Sequence, residues 1–463
     1  MFTHIRMQNF KSWKDSGEVK LAPLTGFFGT NSSGKSSLLQ MLLLLKQTIG
    51  TDEVIFFGDE NSLVNLGNFR EVIHNHDQDE PLRLEFGCES SELFTVEVYG
   101  RKRDGFYDGY FPTAIDNFTF NTVIEQNEGK LQIVDLGYRF ESSHVPKVNR
   151  NISPTVYENL SKIIHVNWSD GQIIHIDSLN QQHQFTQEIK NCYGVPSSGD
   201  ESLRQLSSAF ENLFDNIFFL GPTRAYSQHS YHWEGTHPES IGQLGDRMID
   251  ALLSARVEQL ITPHEGKDVA IEARISAWLQ DMDLAYSFSL RRPSSSIRNT
   301  PQNDKNYKVH IQKSQDSAEV MLAAMGYGLS QFLPVLVLCY YAPEGATLIL
   351  EQPGMHLHPK VQSQIADLLI EVVTERKLQI LVESHSEHLL NRLQRRIAEE
   401  KIAADQTALY FCQNDKGLST IERLRMDEFG NIENWPPNFF GDEIGDLFAM
   451  TEAQWKRQNK TEE

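Results

Sequence analysis

Apolar and polar positions change rhythm three times along the chain. The opening segments "THIRMQNFKSW" and "VKLAPLTGFFGTN" read as two or three short strands with turn residues between them. "SGKSSLLQMLLLLKQTI" follows, with strong helix formers and few breakers, and predicts a buried helix. From about Leu82 to Gln187, short runs such as "LRLEFG", "FTVEVYG", "LQIVDLGYRF" and "QIIHID" are divided by polar turns, which predicts an antiparallel β-rich insertion. "DESLRQLSSAFENLFDN" reads as helix and "IFFLGPTR" as a strand ending at a Gly-Pro turn. Residues 239–290 are expected to be mainly helical, and the Pro/Ser-rich "RRPSSSIRNTPQNDKN" a mobile loop. The last third alternates: helix around 329–342, strand "TLIL", helix 360–376, strand "LQILVE", helix 386–400, strand "ALYFC". Strands separated by helices imply a parallel sheet with right-handed crossovers.

The expected fold class is therefore α/β: a mixed or parallel sheet with helices, an antiparallel β-rich insertion and a small C-terminal extension. The expected divisions are a first lobe over 1–80, the insertion over 81–215, a helical and linker region over 216–315, a second lobe over 316–415, and the extension over 416–463. A chain of 463 residues exceeds one compact lobe, and a 40% hydrophobic share supports real cores. The formal charge of −21 argues against general coating of DNA, although a local basic groove remains compatible with it. Four separated cysteines with no CxxC pairing point to a reducing, cytoplasmic setting and away from a zinc ribbon. The N-terminus has no signal-peptide pattern, and the longest apolar runs are too short to span a bilayer, so no membrane association is expected.

The chemistry begins at "GTNSSGKS", Gly29 to Ser36, which fits GxxxxGK[ST] between an apolar strand and a helix. Such a loop wraps phosphates with backbone N–H groups, and the helix N-terminus adds positive potential. Gly29, Asn31, Ser33, Gly34 and Ser37 belong to that cradle. Lys35 is expected to reach the β- and γ-phosphates of ATP, and the Ser36 hydroxyl to bind Mg²⁺. A second Gly-rich turn, "AMGYGLSQFLP", sets Gly326, Gly328, Ser330 and Gln331 at the start of an apolar helix, another anion-binding device. "LILEQPGMHLHP" ends a buried strand at Glu351 and Gln352, and "LQILVESHSEHLL" ends the next at Glu383, Ser384 and His385. Ligands of parallel sheets bind at that edge, where His385 would reach the γ-phosphate.

The order of these motifs resembles the ABC-type ATPase heads of the RecF, Rad50 and OLD group, over roughly the first 80 residues and residues 215–415. "GTNSSGKS" looks like their Walker A motif. "GYGLSQ" stands where they carry the signature, "LILEQP" where they carry Walker B, and "ESHSEHLL" where they carry the histidine switch. The ending "DEFGNIENWPPNFFGDEIGDLFAM" resembles small single-head bacterial ATPases of anti-phage operons, best the Septu ATPase subunits and more loosely those of the PARIS system. That resemblance implies nucleotide-bound homodimers or higher homo-oligomers. It further implies a separately encoded effector, an HNH nuclease, with DNA reached if at all through the complex. The alternative is a DNA-repair ATPase like RecF or Rad50, against which stand the acidic charge and the lack of a sustained heptad stretch.

Two positions depart from the pattern. Glu351 stands for the usual Asp that holds Mg²⁺, so a carboxylate is kept on a longer arm. Gln352 stands for the catalytic Glu. A carboxamide cannot take a proton from the attacking water, though it can orient that water. The expectation is slow hydrolysis, with Glu383 either a substitute base or a cap for the next helix. Further features keep two readings each. Arg224 contacts phosphate or pairs with an acid. His229, His232 and His237 form an aromatic-rich loop or, less in keeping with the spacing, a metal set. His356 and His358 would share one side of an extended segment, as a dimer-contact turn or a metal pair. Arg392 to Arg396 form a solvated helix face or a contact for nuclease or DNA. The aromatic tail is a sheet-edge cover or a docking surface.

Overall fold

The computed structural model describes residues 1–101, 108–141, 162–169, 172–176, 182–185, 191–194, 201–292, 305–436 and 449–454. The Pro/Ser-rich segment at 293–304 and most of the aromatic tail, 437–448, lie outside them.

A six-stranded sheet organises the molecule, in the order Ile217–Leu220, Thr347–Glu351, Gln379–Glu383, Leu24–Gly29, Thr407–Asp415 and Leu418–Arg423. The first five strands run parallel, and the last returns antiparallel. The central strands are buried along their whole length, as expected of a parallel sheet covered on both faces. Alternate side chains enter two different cores. Leu348, Leu350, Ile380 and Val382 pack with the helices Met248–Glu258, Ile271–Asp281, Tyr327–Tyr341, Pro359–Arg376 and Glu387–Ala398. Ile349, Leu381, Phe27 and Tyr410 pack with the helix Lys35–Thr48 and with an antiparallel sheet.

That antiparallel sheet contains the β-rich stretch, but it starts at the N-terminus. The strand Phe2–Phe10 pairs with Leu82–Arg101, which continues through Asp108–Asn127 and Lys130–Glu141 toward Gln182–Phe185. The Gln379 carboxamide ties the sheets together, accepting from the Phe2 N–H at 2.8 Å and donating to the Phe2 carbonyl at 2.6 Å. A buried amide with both ends satisfied fixes the relative placement of the two sheets.

The helices of the last third fall where periodicity places them. The 239–290 region is less helical than expected. Between its two helices runs a hairpin, Ile261–His264 with Lys267–Ala270, and a strand, Ser287–Arg291, follows. The hairpin turns on Glu265 and Gly266, both at positive φ, a two-residue chemistry that outweighs the surrounding helix periodicity. Among the described residues, no helix is long and apolar enough to cross a membrane.

Candidate functional site

The strand Leu24–Gly29 ends at the carboxyl edge of the parallel sheet, and the chain turns through Thr30–Gly34 into the helix at Lys35. Two glycines make this turn fit. Gly29 has φ +136°, and a Cβ there would lie 1.9 Å from the Cys412 carbonyl oxygen. Gly34 has φ +88°, and a Cβ there would lie 2.6 Å from Ser419 Oγ and 2.7 Å from Trp13 Nε1. Trp13 Nε1 donates to the Gly34 carbonyl at 3.1 Å, so the loop is braced by the N-terminal sheet. Lys35 is 3% exposed, and its ammonium donates to the carbonyls of Thr30 (2.6 Å) and Gly29 (3.2 Å) and to Ser33 Oγ (3.2 Å). Burial lowers the Lys35 pKa, and the nearby Glu383 charge pulls it back up. No acid occupies the first helical turn, so the helix N-terminus keeps its positive field. Ser33 is buried within the loop and Ser37 in the first turn of the helix, Asn31 is exposed, and Ser36 faces the adjoining cleft.

That cleft, about 500 Å³, is lined by Ser36, Pro222, Glu351, Gln352, Gly354, Met355, Gln362, Glu383, Ser384, His385 and Ser386. Parallel register places Glu351 beside Glu383 and Glu383 beside Phe27, so the carboxylates flank the start of the phosphate loop. Glu351 Oε1 and Glu383 Oε2 are both buried with no hydrogen-bond partner. Burial first, then the charge of Glu383, pushes Glu351 up to about 7, while Lys11 and Arg224 pull it down. An unpartnered Glu351 oxygen, on a residue lining the same cleft as Ser36, is the kind of donor that a hard divalent cation such as Mg²⁺ takes. Gln352 sits at φ +49°. Its N–H donates to the Glu383 carbonyl at 2.9 Å and its Nε2 to Glu383 Oε1 at 3.5 Å. The glutamine and the glutamate are thus one hydrogen-bonded unit. His385 bonds to the Gly29 backbone, and burial followed by the Lys35 charge lowers its pKa.

The signature turn lies elsewhere. Gly326 caps the helix Tyr327–Tyr341, and neither Gly328, Ser330 nor Gln331 lines the cleft. Ser330 is 6% exposed and donates to the Tyr327 carbonyl at 2.8 Å. Gln331 is 1% exposed, with both carboxamide atoms unpartnered. From Gly326 to Gln331 the exposed residues are Gly326 and Tyr327, beside the exposed Tyr226 and a His356 ring 4.9 Å from Tyr327.

Several readings change. Arg224 neither pairs with an acid nor points into open cleft. Its guanidinium is 2% exposed and donates to the carbonyls of Glu351 (2.9 Å), Gln352 (3.4 Å) and Pro222 (3.2 Å), clamping the carboxyl end of the Glu351 strand. Burial brings its pKa down to about 10. His356 and His358 do not alternate on an extended segment. His356 turns at φ +65°, and His358 caps the helix Pro359–Arg376 by accepting from the Lys360 N–H. His232 and His237 face Glu234 and Glu258 respectively, and these histidines form no metal cluster among the described residues. Arg392 and Arg396 pair with Asp367, and Arg395 with Glu399, as on a solvated helix face balanced by acids. Sequence reasoning missed Lys11, Trp13 and Ser419. Lys11 leaves the antiparallel sheet at φ +53°, donates to Gln40 Oε1 at 2.5 Å and lies close enough to Glu351 for their charges to interact. Nothing in a lone lysine between two strands signals that placement.

The first 390 residues match the model of the AAA ATPase domain family, and residues 402–450 match a family described as protein of unknown function, DUF3696. No curated protein matches the chain. Among solved structures the chain is similar to an Smc head bound to the C-terminal winged-helix domain of ScpA, at 11% identity and TM-score 0.44, over 92% of this chain and 98% of that one. The SMC head domain from Thermotoga maritima is similar at 10% identity and TM-score 0.37, over 92% and 99%. An Smc head with an extended coiled coil, bound to the C-terminal domain of ScpA and derived from Pyrococcus furiosus, is similar at 10% identity and TM-score 0.40, over 91% and 96%. With a family model spanning most of its length, and a phosphate loop facing paired carboxylates at the edge of a parallel sheet, the chain belongs to the AAA ATPase domain family.

Proposed function

We propose that this protein binds Mg²⁺-ATP, hydrolyses it slowly, and uses the bound state to hold an assembly together. The observation that carries the reading is the unit of Glu351, Gln352 and Glu383 facing Ser36 across the cleft, with two carboxylate oxygens lacking any partner. In this reading the N–H groups from Gly29 to Ser37 and the Lys35 ammonium hold the phosphates. Ser36 and Glu351 hold Mg²⁺, which neutralises phosphate charge. Gln352 donates through its nitrogen to Glu383, which leaves its oxygen to accept from a water. That water's oxygen would form the new bond to the γ-phosphorus as the bond to the β–γ bridging oxygen breaks. Glu383 would receive the water's proton, and His385, held at the loop, would donate to the γ-phosphate. Orientation by a glutamine, with the base on the neighbouring strand, supports slow turnover.

The turn Gly326–Gln331 would meet the nucleotide of a second copy, so that ATP favours a homodimer or larger homo-oligomer by mass action. The resemblance to anti-phage ATPase subunits supports a regulatory role over a separately encoded nuclease effector, an HNH protein, in a bacterial defence complex. Measuring steady-state ATP turnover together with mass photometry with and without ATP tests both parts. Turnover as fast as that of active ABC ATPases overturns slow hydrolysis, and an unchanged mass distribution overturns nucleotide-held assembly. Strong stimulation of turnover by duplex DNA would favour instead a repair ATPase of the RecF or Rad50 kind.

A further inference from the structure

A second cluster of ligand-type side chains lies apart from the nucleotide cleft and shares none of its lining residues. His264 ends the first strand of the Ile261–Ala270 hairpin. Glu371 and Glu375 stand four residues apart on the helix Pro359–Arg376, on one face. One ligand atom from each of the three residues lies within 4.8 Å of the others. His264 Nδ1 is 3.8 Å from Glu371 Oε1 and 3.9 Å from Glu375 Oε2, too far for a hydrogen bond to either. Both His264 Nδ1 and Glu375 Oε2 are shut off from solvent and have no hydrogen-bond partner. Thr262, two residues back and therefore on the same face of the strand, is fully buried, and its hydroxyl is unpartnered as well. Two polar atoms without hydrogen bonds on facing elements are costly unless something joins them.

We propose that His264, Glu371 and Glu375 form a binding site for a divalent transition-metal ion, with Zn²⁺ the best match. One imidazole nitrogen and two carboxylate oxygens, with a water completing the shell, is a ligand set that such ions accept. The surroundings are built as metal sites are, with an outer shell fixing a ligand. Arg274 donates to Glu371 from Nε (2.8 Å) and Nη2 (2.5 Å), and the Tyr340 hydroxyl donates at 2.6 Å, itself receiving the Trp278 indole N–H at 2.6 Å. Arg274 balances one carboxylate, which leaves the second to offset the charge of the ion. The metal would staple the hairpin to a helix that begins just after the Glu351 turn and leads into the Glu383 strand.

The test is Zn²⁺ titration of the chelator-stripped full chain by calorimetry, with Co²⁺ absorption as a probe of ligand type. One equivalent is expected to bind and to raise Tm. His264→Ala and Glu375→Gln should each weaken that binding at least tenfold and abolish the Tm shift. Glu351→Gln should leave it intact, which separates this site from the nucleotide cleft. Binding that survives His264→Ala, or that vanishes only in Glu351→Gln, overturns the proposal. So does a Tm that falls in His264→Ala but does not respond to Zn²⁺ in the wild type, since the cluster would then be only an ion pair.

Discussion

At the phosphate-loop end of the cleft, the Lys35 ammonium has three oxygen acceptors, Trp13 braces the loop through the Gly34 carbonyl, and Ser419 lies against Gly34. At the carboxylate end, a few residues away across the sheet edge, Glu351 Oε1 and Glu383 Oε2 have none. The difference teaches what each end can do by itself. The loop end is shaped by its own chain and presents donors in a fixed array. The carboxylate end is electrostatically incomplete: like charges are buried side by side, and burial drives one of them toward its neutral form. A cation between the two ends would relieve the second without disturbing the first.

Removing the positive charge at the loop end should have the largest effect. Lys35→Ala is expected to weaken ATP binding by two to three orders of magnitude, about 3–4 kcal/mol, read by calorimetry. A variant that still binds within tenfold of wild type would erase the distinction between the ends. The carboxylate end should show itself in stability rather than binding. The Glu351 carboxyl is raised from 4.5 to about 7, so between these values the folded state keeps a proton that the unfolded state has released. The metal-free protein should therefore be most favoured below pH 4.5 with respect to this group, and should lose about 3 kcal/mol as pH rises from 4.5 to 7. Glu351→Gln should flatten that slope in denaturant melts at pH 5 and 7.5, and an unchanged slope would mean that the carboxylate is not strained.

Gln352→Glu should raise turnover about tenfold or more by restoring a base next to the attacking water, as general bases commonly contribute. Single-turnover hydrolysis decides this, and no gain would point to Glu383 as an already sufficient base. Trp13→Phe removes one hydrogen bond to the loop and should cost about 1 kcal/mol of stability, with a few-fold loss of ATP affinity. The smallest effect is expected at the signature turn. Ser330→Ala should leave nucleotide affinity of the isolated chain within about twofold, because Ser330 is outside the cleft and bonded to Tyr327. A larger change would join the turn to the cleft within one chain.

The phosphate loop was legible because its chemistry is local: two glycines, a lysine and a serine must be contiguous for a backbone cradle to form. The strand ends at Glu351 and Glu383 were legible because strictly buried apolar runs stop there. The hairpin at 261–270 was overlooked between two helical stretches, although Pro263 and the Glu265–Gly266 turn both mark a break in helix there. Lys11, Trp13 and Ser419 escaped because their partners are far off in the chain, and single side chains carry no periodic signal.

By itself the sequence determined the alternating α/β order, the phosphate loop and the residues at the carboxyl edge, since propensity, periodicity and contiguous motifs act over a few residues. Tertiary structure alone decided that the strand Phe2–Phe10 leaves the parallel sheet to head the antiparallel one. It also decided that Arg224 clamps backbone instead of meeting an acid, and that Ser330 and Gln331 turn inward. The same holds for the meeting of His264 with Glu371 and Glu375. These outcomes depend on burial and on the register between distant strands and helices, quantities fixed only when the two cores close around the central sheet.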